Sequence, residues 1–299
     1  MFRTPHRAAI AAALAITNAA VASPRAAHHR SAHNHAHHHA RAHRAPAAPA
    51  APVMSYFLAG DPHVPLAVAH GNLLRSAVSD AERGHSCGSR SRWRVPASRW
   101  NAIDAWGQLV GSYTVESFDD YDVTGCAEIS FASAPRNDGS LLFVSADSSW
   151  RPSPSARWSP PLTEQRAFDA ALSDVVKGHA QSNIMRECRE IHDEARFFEV
   201  KTGTVPQRFA VGGRNGGYLV ASLAADGSWS RDLVKSEPVR APDYTMCYRP
   251  VAVFDMNGDG VPEIVMRQSE PASWADFVLM RSLTGHWQVV ATSPGGSTA

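Results

Sequence analysis

The sequence predicts an α+β fold built mainly of antiparallel hairpins and meanders, and three observations carry that reading. Short apolar segments rich in β-branched and aromatic residues recur between Gly, Asn and Asp turn signals. Only one segment, Phe168 to Val176, shows a clear helical period. The first 52 residues differ so sharply in composition that folded reasoning starts at residue 53.

Residues 1–22 read as a secretory signal. Arg3 and Arg7 supply the positive end, Ala8 to Ile16 an apolar stretch too short to span a bilayer, and Ala20-Val21-Ala22 the small residues of a cleavage site before Ser23. No cysteine precedes Cys87, so a lipid anchor on a new N-terminus is not expected, and no later segment has the length of a transmembrane helix. The chain is therefore expected to be secreted or periplasmic.

Residues 23–52 contain Ala, Pro, His and Arg with no acidic residue, a composition that cannot build a core. The segment is expected to be a disordered linker ending in a semi-extended Ala-Pro spacer. Its histidines, His28, His29, His33, His35, His37, His38, His39 and His43, can bind transition metals weakly and become cationic in mild acid. They repeat at no fixed spacing, which favours a linker over a dedicated metal site.

The first 52 residues hold six arginines, so the remainder carries 23 basic against 28 acidic side chains, a formal charge of −5. A folded part of that sign lacks the basic face that nucleic-acid binding needs. About 245 residues remain, enough for a substantial core. All four cysteines, Cys87, Cys126, Cys188 and Cys247, lie in this part. Export favours disulfides; three connectivities are open, and proximity along the chain favours Cys87 with Cys126 and Cys188 with Cys247.

Along the folded part, Leu66 to His70, Gly71-Asn72 and Leu73 to Val78 suit a hairpin, with a Gly-interrupted helix as the alternative. Strands are expected at Gly111 to Phe118, Cys126 to Ala132 and Leu141 to Val144, with an acidic loop from Asp119 to Asp122 and a turn at Arg136 to Gly139. Trp100, Ile103 and Trp106 suggest a short helix. Phe168, Ala171, Leu172, Val175 and Val176 form one apolar stripe, with Thr163 placed to cap the helix start and Gly178 its end. Glu187 to Phe198 fits helix or strand. Arg208 to Val234 reads as a meander with turns at Gly212 to Gly217 and Asp226-Gly227, and Phe277 to Ala291 repeats its strand-turn-Trp unit.

The segment that carries chemistry runs from Asp255 to Glu263, within a C-terminal part spanning about residues 205–292. It places oxygen side chains at positions 1, 3, 5 and 9 of a tight turn: Asp255, Asn257, Asp259 and Glu263. Calcium takes six to eight hard oxygen ligands at about 2.3–2.6 Å, and alternate residues of such a turn converge on its inside. The Val261 carbonyl is the natural main-chain ligand at position 7, and Gly260 permits the left-handed bend before it. An EF-hand needs flanking helices and a Glu at position 12, but Met266 stands there and the flanks, Val251 to Phe254 and Ile264 to Arg267, read as strands.

A strand-joining loop of the form D-x-[DN]-x-D-G-x-x-[DE] resembles those of the FG-GAP or VCBS repeats, the integrin-like β-propeller family. Asp255, Asn257, Asp259, Gly260 and Glu263 carry the likeness, which extends over Val251 to Ala291. Those families carry several tandem copies and this chain one. The resemblance therefore implies a bound Ca²⁺, with a partial or small propeller as the alternative architecture.

No enzyme signature has the right setting. Gly84-His85-Ser86-Cys87-Gly88 matches G-x-S-x-G, yet the residues on both sides are polar where a nucleophile elbow needs a buried strand and a helix. His192-Asp193-Glu194 and the acidic Asp119, Asp120 and Asp122 are read as solvated clusters. The sequence thus favours a non-enzymatic, calcium-binding module for binding or surface structure, with an unidentified protein or surface ligand as its partner. The alternative is an exported hydrolase with a dispersed active site.

Overall fold

Most strands carry runs of consecutive buried residues, so that both of their faces are covered, and the described strands form three open antiparallel sheets. The computed structural model describes residues 54–59, 63–77, 99–120, 127–132, 142–146, 150, 156–178, 195–201, 204–237, 246–270, 273–293 and 295–297, all within one compact unit, Ala50–Ala299. The expected signal and linker, the Arg136–Gly139 turn, Gly84–Gly88, Asp122 and His192–Glu194 lie outside those residues, as do three of the cysteines.

The first sheet contains β1 (Ser55–Ala59), β2 (Val64–His70), β3 (Leu73–Ser76), β4 (Arg99–Ile103), β5 (Leu109–Asp120), β6 (Ala127–Ala132) and β7 (Leu142–Ser145), in the order β3-β2-β1-β7-β4-β5-β6. The second contains β8 (Ala156–Arg157), β9 (Arg196–Val200), β10 (Gln207–Arg214), β11 (Gly217–Leu223) and β12 (Trp229–Ser236), ordered as a meander. The third is a second meander of β13 (Cys247–Phe254), β14 (Glu263–Glu270), β15 (Ser273–Arg281) and β16 (Trp287–Thr292), with the short β17 (Gly296–Ser297) beside β15. Among the described residues one helix, α1 (Leu162–Val175), lies between β8 and β9 in chain order. The mainly antiparallel α+β expectation therefore holds, including the Gly71-Asn72 hairpin between β2 and β3.

The third sheet is covered on both faces. Val251, Phe254, Val265 and Val278 pack with Phe57, Leu66 and Val144 of the first sheet. From the opposite face, Val253, Ile264, Met266 and Leu279 meet Phe198, Phe209 and Val220 of the second. Double coverage explains why Val251 to Phe254 and Ile264 to Met266 are apolar without a polar alternate. The outer face of the second sheet is closed by α1, whose Phe168, Leu172 and Val175 sit on Ala210, Leu219 and Ala221. Trp229 Nε1 donates to the Glu164 carbonyl at 2.9 Å and ties the helix start to β12.

The repeat suggested by the two strand-turn-Trp units is visible as register. Leu223 faces Trp229 in β11–β12 as Arg281 faces Trp287 in β15–β16, and each ladder slips by one residue after its third pair, at Val220/Ala221 and Val278/Leu279. The turns match as well. Gly227 N–H donates to the Ala224 carbonyl at 3.0 Å, and Gly285 N–H to that of Ser282 at 2.8 Å. This is the hairpin closed by a turn and one left-handed glycine.

Three local expectations are corrected and one open alternative is decided. Trp100 to Trp106 is not helical: Arg99–Ile103 is strand β4, and Trp106 sits in the β4–β5 turn. Asp104 Oδ1 accepts the amides of Trp106 and Gln108, at 2.9 and 2.8 Å, and this holds that turn together. Gly212 and Gly213 belong to β10 and not to the turn after it. A Cβ on Gly212 would come within 2.9 Å of Phe168 and Leu172, and one on Gly213 within 2.4 Å of the Tyr248 carbonyl, so close packing requires both glycines. The helix cap is Pro161 with no side-chain hydrogen bond, leaving Thr163 inside the first turn. The described end of the ambiguous Glu187–Phe198 segment is strand, since β9 begins at Arg196.

Candidate metal loop

Strands β13 and β14 pair up to Phe254 opposite Glu263, so residues 255–262 close a hairpin at the end of the doubly covered sheet. The equivalent connection in the first meander runs between Val200 and Gln207. Its sequence, Lys201 to Pro206, has no acidic residue, which accounts for a single copy of the motif in two matching meanders.

Inside the loop, short polar side chains take the amides that a tight turn leaves unpaired. Asp255 Oδ1 accepts from Gly258 N–H at 2.6 Å and Asp259 N–H at 3.2 Å, while Oδ2 accepts from Gly260 N–H at 2.9 Å. Asn257 Oδ1 accepts from Asp259 N–H at 3.0 Å, and Asp259 Oδ1 from Val261 N–H at 2.8 Å. Gly258 and Gly260 have φ of +81° and +86°, and a Cβ on either would meet nothing within 4 Å. Both glycines answer a conformational demand, and the Gly258 bend adds to the one expected at Gly260.

Glu263 differs from the other ligand candidates. Only 1 % of its surface is exposed. Oε2 accepts from Met256 N–H at 2.7 Å, but Oε1 is buried with no hydrogen-bond partner. Burial lifts its carboxyl well above the usual glutamate range, against the pull of the Met256 amide, and repulsion from Asp255 and Asp259 adds to the rise. Burial also raises Asp255, in spite of the amides of Gly260 and Gly258. The three carboxylates are thus close enough to repel one another. They do not converge into a ready-made cluster, and among the described residues no three His, Cys, Asp or Glu side chains do. Asp255 and Asp259 face the loop's own amides instead.

Two supports for the loop carry no local sequence signal. Trp150 Nε1 donates to the Asp255 carbonyl at 3.0 Å in a buried contact. Asn257 Nδ2 donates to the Asn72 carbonyl, at the tip of the β2–β3 hairpin, at 3.3 Å. Both partners lie far away in sequence and in the first part of the chain, so the loop is fixed from outside its own sheet.

No family model, curated protein or solved structure matches the chain.

Elsewhere, Cys247 is buried and is not a free thiol, and the other three cysteines lie outside the described residues. Asp119 and Asp120 end strand β5 rather than opening a loop. No described helix is long and apolar enough to cross a membrane.

Proposed function

We propose that this protein is an exported, calcium-binding module, without catalytic activity, whose fold Ca²⁺ stabilises for binding or surface structure. The observation that carries the reading is Glu263: a buried carboxylate with one oxygen unpartnered, at the ninth position of a loop whose first, third and fifth residues are also oxygen donors. A buried anion without compensation is costly, and a cation beside it removes both the desolvation cost and the repulsion from Asp255 and Asp259. The donor set consists of carboxylates, one amide oxygen and the Val261 carbonyl, all hard oxygens, and so fits calcium rather than zinc or copper.

Asp255, Asn257, Asp259, Val261 and Glu263 would hold the ion, as the likeness to FG-GAP or VCBS loops also implies. Oxygens that already accept one N–H retain a second lone pair for metal. Calcium would supply charge compensation here, and the loop's contacts to Asn72 and Trp150 would pass that gain to the neighbouring sheet. Extracellular modules bind calcium at about 10⁻⁴–10⁻³ M, a range suited to export. Calorimetric titration of the purified protein with Ca²⁺, alongside melting in Ca²⁺, Mg²⁺ and EDTA, tests the reading. A binding heat and a Ca²⁺-specific rise in Tm are expected; neither heat nor shift would overturn it.

A further inference from the structure

A cleft of about 340 Å³ opens between the β4–β5 turn, β8, the start of α1 and β9, well apart in sequence from the calcium loop. Its walls are fixed by the backbone. Asp104 holds the turn that presents Trp106, Trp158 N–H donates to the Phe197 carbonyl at 3.1 Å, and Gln165 Nε2 donates to the Pro160 carbonyl at 2.8 Å. Two guanidiniums lie over Trp106: Arg157 with its carbon 5.5 Å from the ring centroid, and Arg196 at 5.6 Å. Arg157, drawn to the indole by cation–π attraction and exposed, can offer N–H groups for a forked contact with an oxyanion.

The charges around the cleft are unequal. Asp169 is the one acid among the described lining residues, and it is drawn to Arg214 at 3.9 Å. Arg208, stacked on the neighbouring Trp158 at 4.9 Å, lies 3.8 Å from Glu199. Arg157 is exposed and has no ion pair with any described residue. Among the described residues the lining therefore holds a cation without an ion pair beside two tryptophans, Trp106 and Trp158. Its volume is at the small end for ligand sites.

We propose that this cleft binds a small ring-bearing carboxylate, with Arg157 forking onto the carboxylate and the ring lying against the half-exposed surfaces of Trp106 and Trp158 that the guanidiniums leave uncovered. The fork takes a charged oxyanion better than a neutral group, and the aromatic walls give a ring contact area that a bare anion such as phosphate cannot use. Galacturonate and benzoate share this chemistry, one as an acidic sugar and one as an aromatic acid.

The test is saturation-transfer NMR and calorimetry on the purified protein with four probes: galacturonate, benzoate, galactose and inorganic phosphate. At least one of the two ring carboxylates is expected to bind, and which one does so identifies the ring. Arg157→Gln should weaken that binding about tenfold, the scale of one charge-assisted hydrogen bond, and Arg157→Lys should restore only part of it. Arg157 is exposed, so both variants are expected to keep the wild-type Tm; Trp106→Phe, which shrinks the stacking wall, gives a second reading of the same loss. The proposal is overturned by absence of binding of both ring carboxylates, by binding that Arg157→Gln and Trp106→Phe leave unchanged, or by equal binding of galactose or phosphate. None of these outcomes depends on calcium, so the experiment is run with Ca²⁺ and again with EDTA.

Discussion

Replacing Glu263 by Gln separates a calcium ligand from a buried structural acid. Gln keeps the shape, its carbonyl can still accept from Met256 N–H, and its amide would put a donor where Glu263 now has an unpartnered oxygen facing acidic neighbours. Without calcium the variant should therefore melt at or above the wild-type temperature. With calcium the order should reverse. A ligand at a hundredfold excess over its Kd stabilises by about 2.7 kcal/mol, and about 2–4 °C per kcal/mol for a domain of this size makes that a rise of about 5–11 °C in the wild type. A loss of about hundredfold, the upper end of the range for residues that merely support a ligand, leaves the variant about 0.4 kcal/mol of calcium stabilisation, or about 1 °C. Differential scanning calorimetry of both proteins, in EDTA and in Ca²⁺, reads all four values. Parallel lowering of the variant in both buffers would refute the reasoning, because Glu263 would then serve the fold and not the ion.

Three further outcomes follow from geometry given above. Glu263 and Asp255 have folded-state pKa values raised above their ordinary 4.5 and 3.8. Their contribution to calcium-free stability is then fully present below those values and lost as pH rises through the raised ones; denaturant titrations in EDTA should show falling stability there, and calcium affinity should rise over the same window as protons leave. The buried pair of Arg267 and Asp276, bonded at 2.8 Å through both Nε and Nη2, should cost about 3–5 kcal/mol when Asp276→Asn breaks it, and less when Arg267→Met is combined with Asp276→Leu; urea unfolding of the single and double variants compares them. Gly213→Ala drives a Cβ to 2.4 Å from the Tyr248 carbonyl, so a loss of about 1–3 kcal/mol is expected by the same measurement, whereas Gly227→Ala meets no atom within 4 Å and pays only for its φ of +82°.

Legibility followed sequence distance. The flanks of the Asp255–Glu263 loop read as strands because both faces of the third sheet are covered, which makes Val251 to Phe254 apolar throughout. The α1 stripe was legible because one face of a helix packs on one surface. Trp100, Ile103 and Trp106 misled at helical spacing: Trp100 and Ile103 belong to different cores on opposite faces of β4, and Trp106 is in the turn. Asp104 and Gly107, a turn acceptor and a glycine with φ of +80°, were the local sign that a hairpin was present. Gly212 and Gly213 looked like turn residues because nothing local announces Phe168 or the Tyr248 carbonyl packed against them. The motif set out the loop's ligand candidates, but Trp150 and Asn72, which brace it, come from elsewhere in the chain, as do Arg157 and Arg196 around Trp106.

The placement of the third sheet has a consequence for how the protein opens. Amide protons in β13, β14 and β15, enclosed on both faces, exchange with solvent only when the surrounding sheets separate, so this hairpin should report global unfolding rather than fraying. An ion bound at the tip of that hairpin would therefore raise the cost of opening the Ala50–Ala299 unit. Moving the protein from calcium-rich to calcium-poor surroundings would then expose the chain to proteases as one cooperative unit, where an ion on a peripheral loop would expose only that loop.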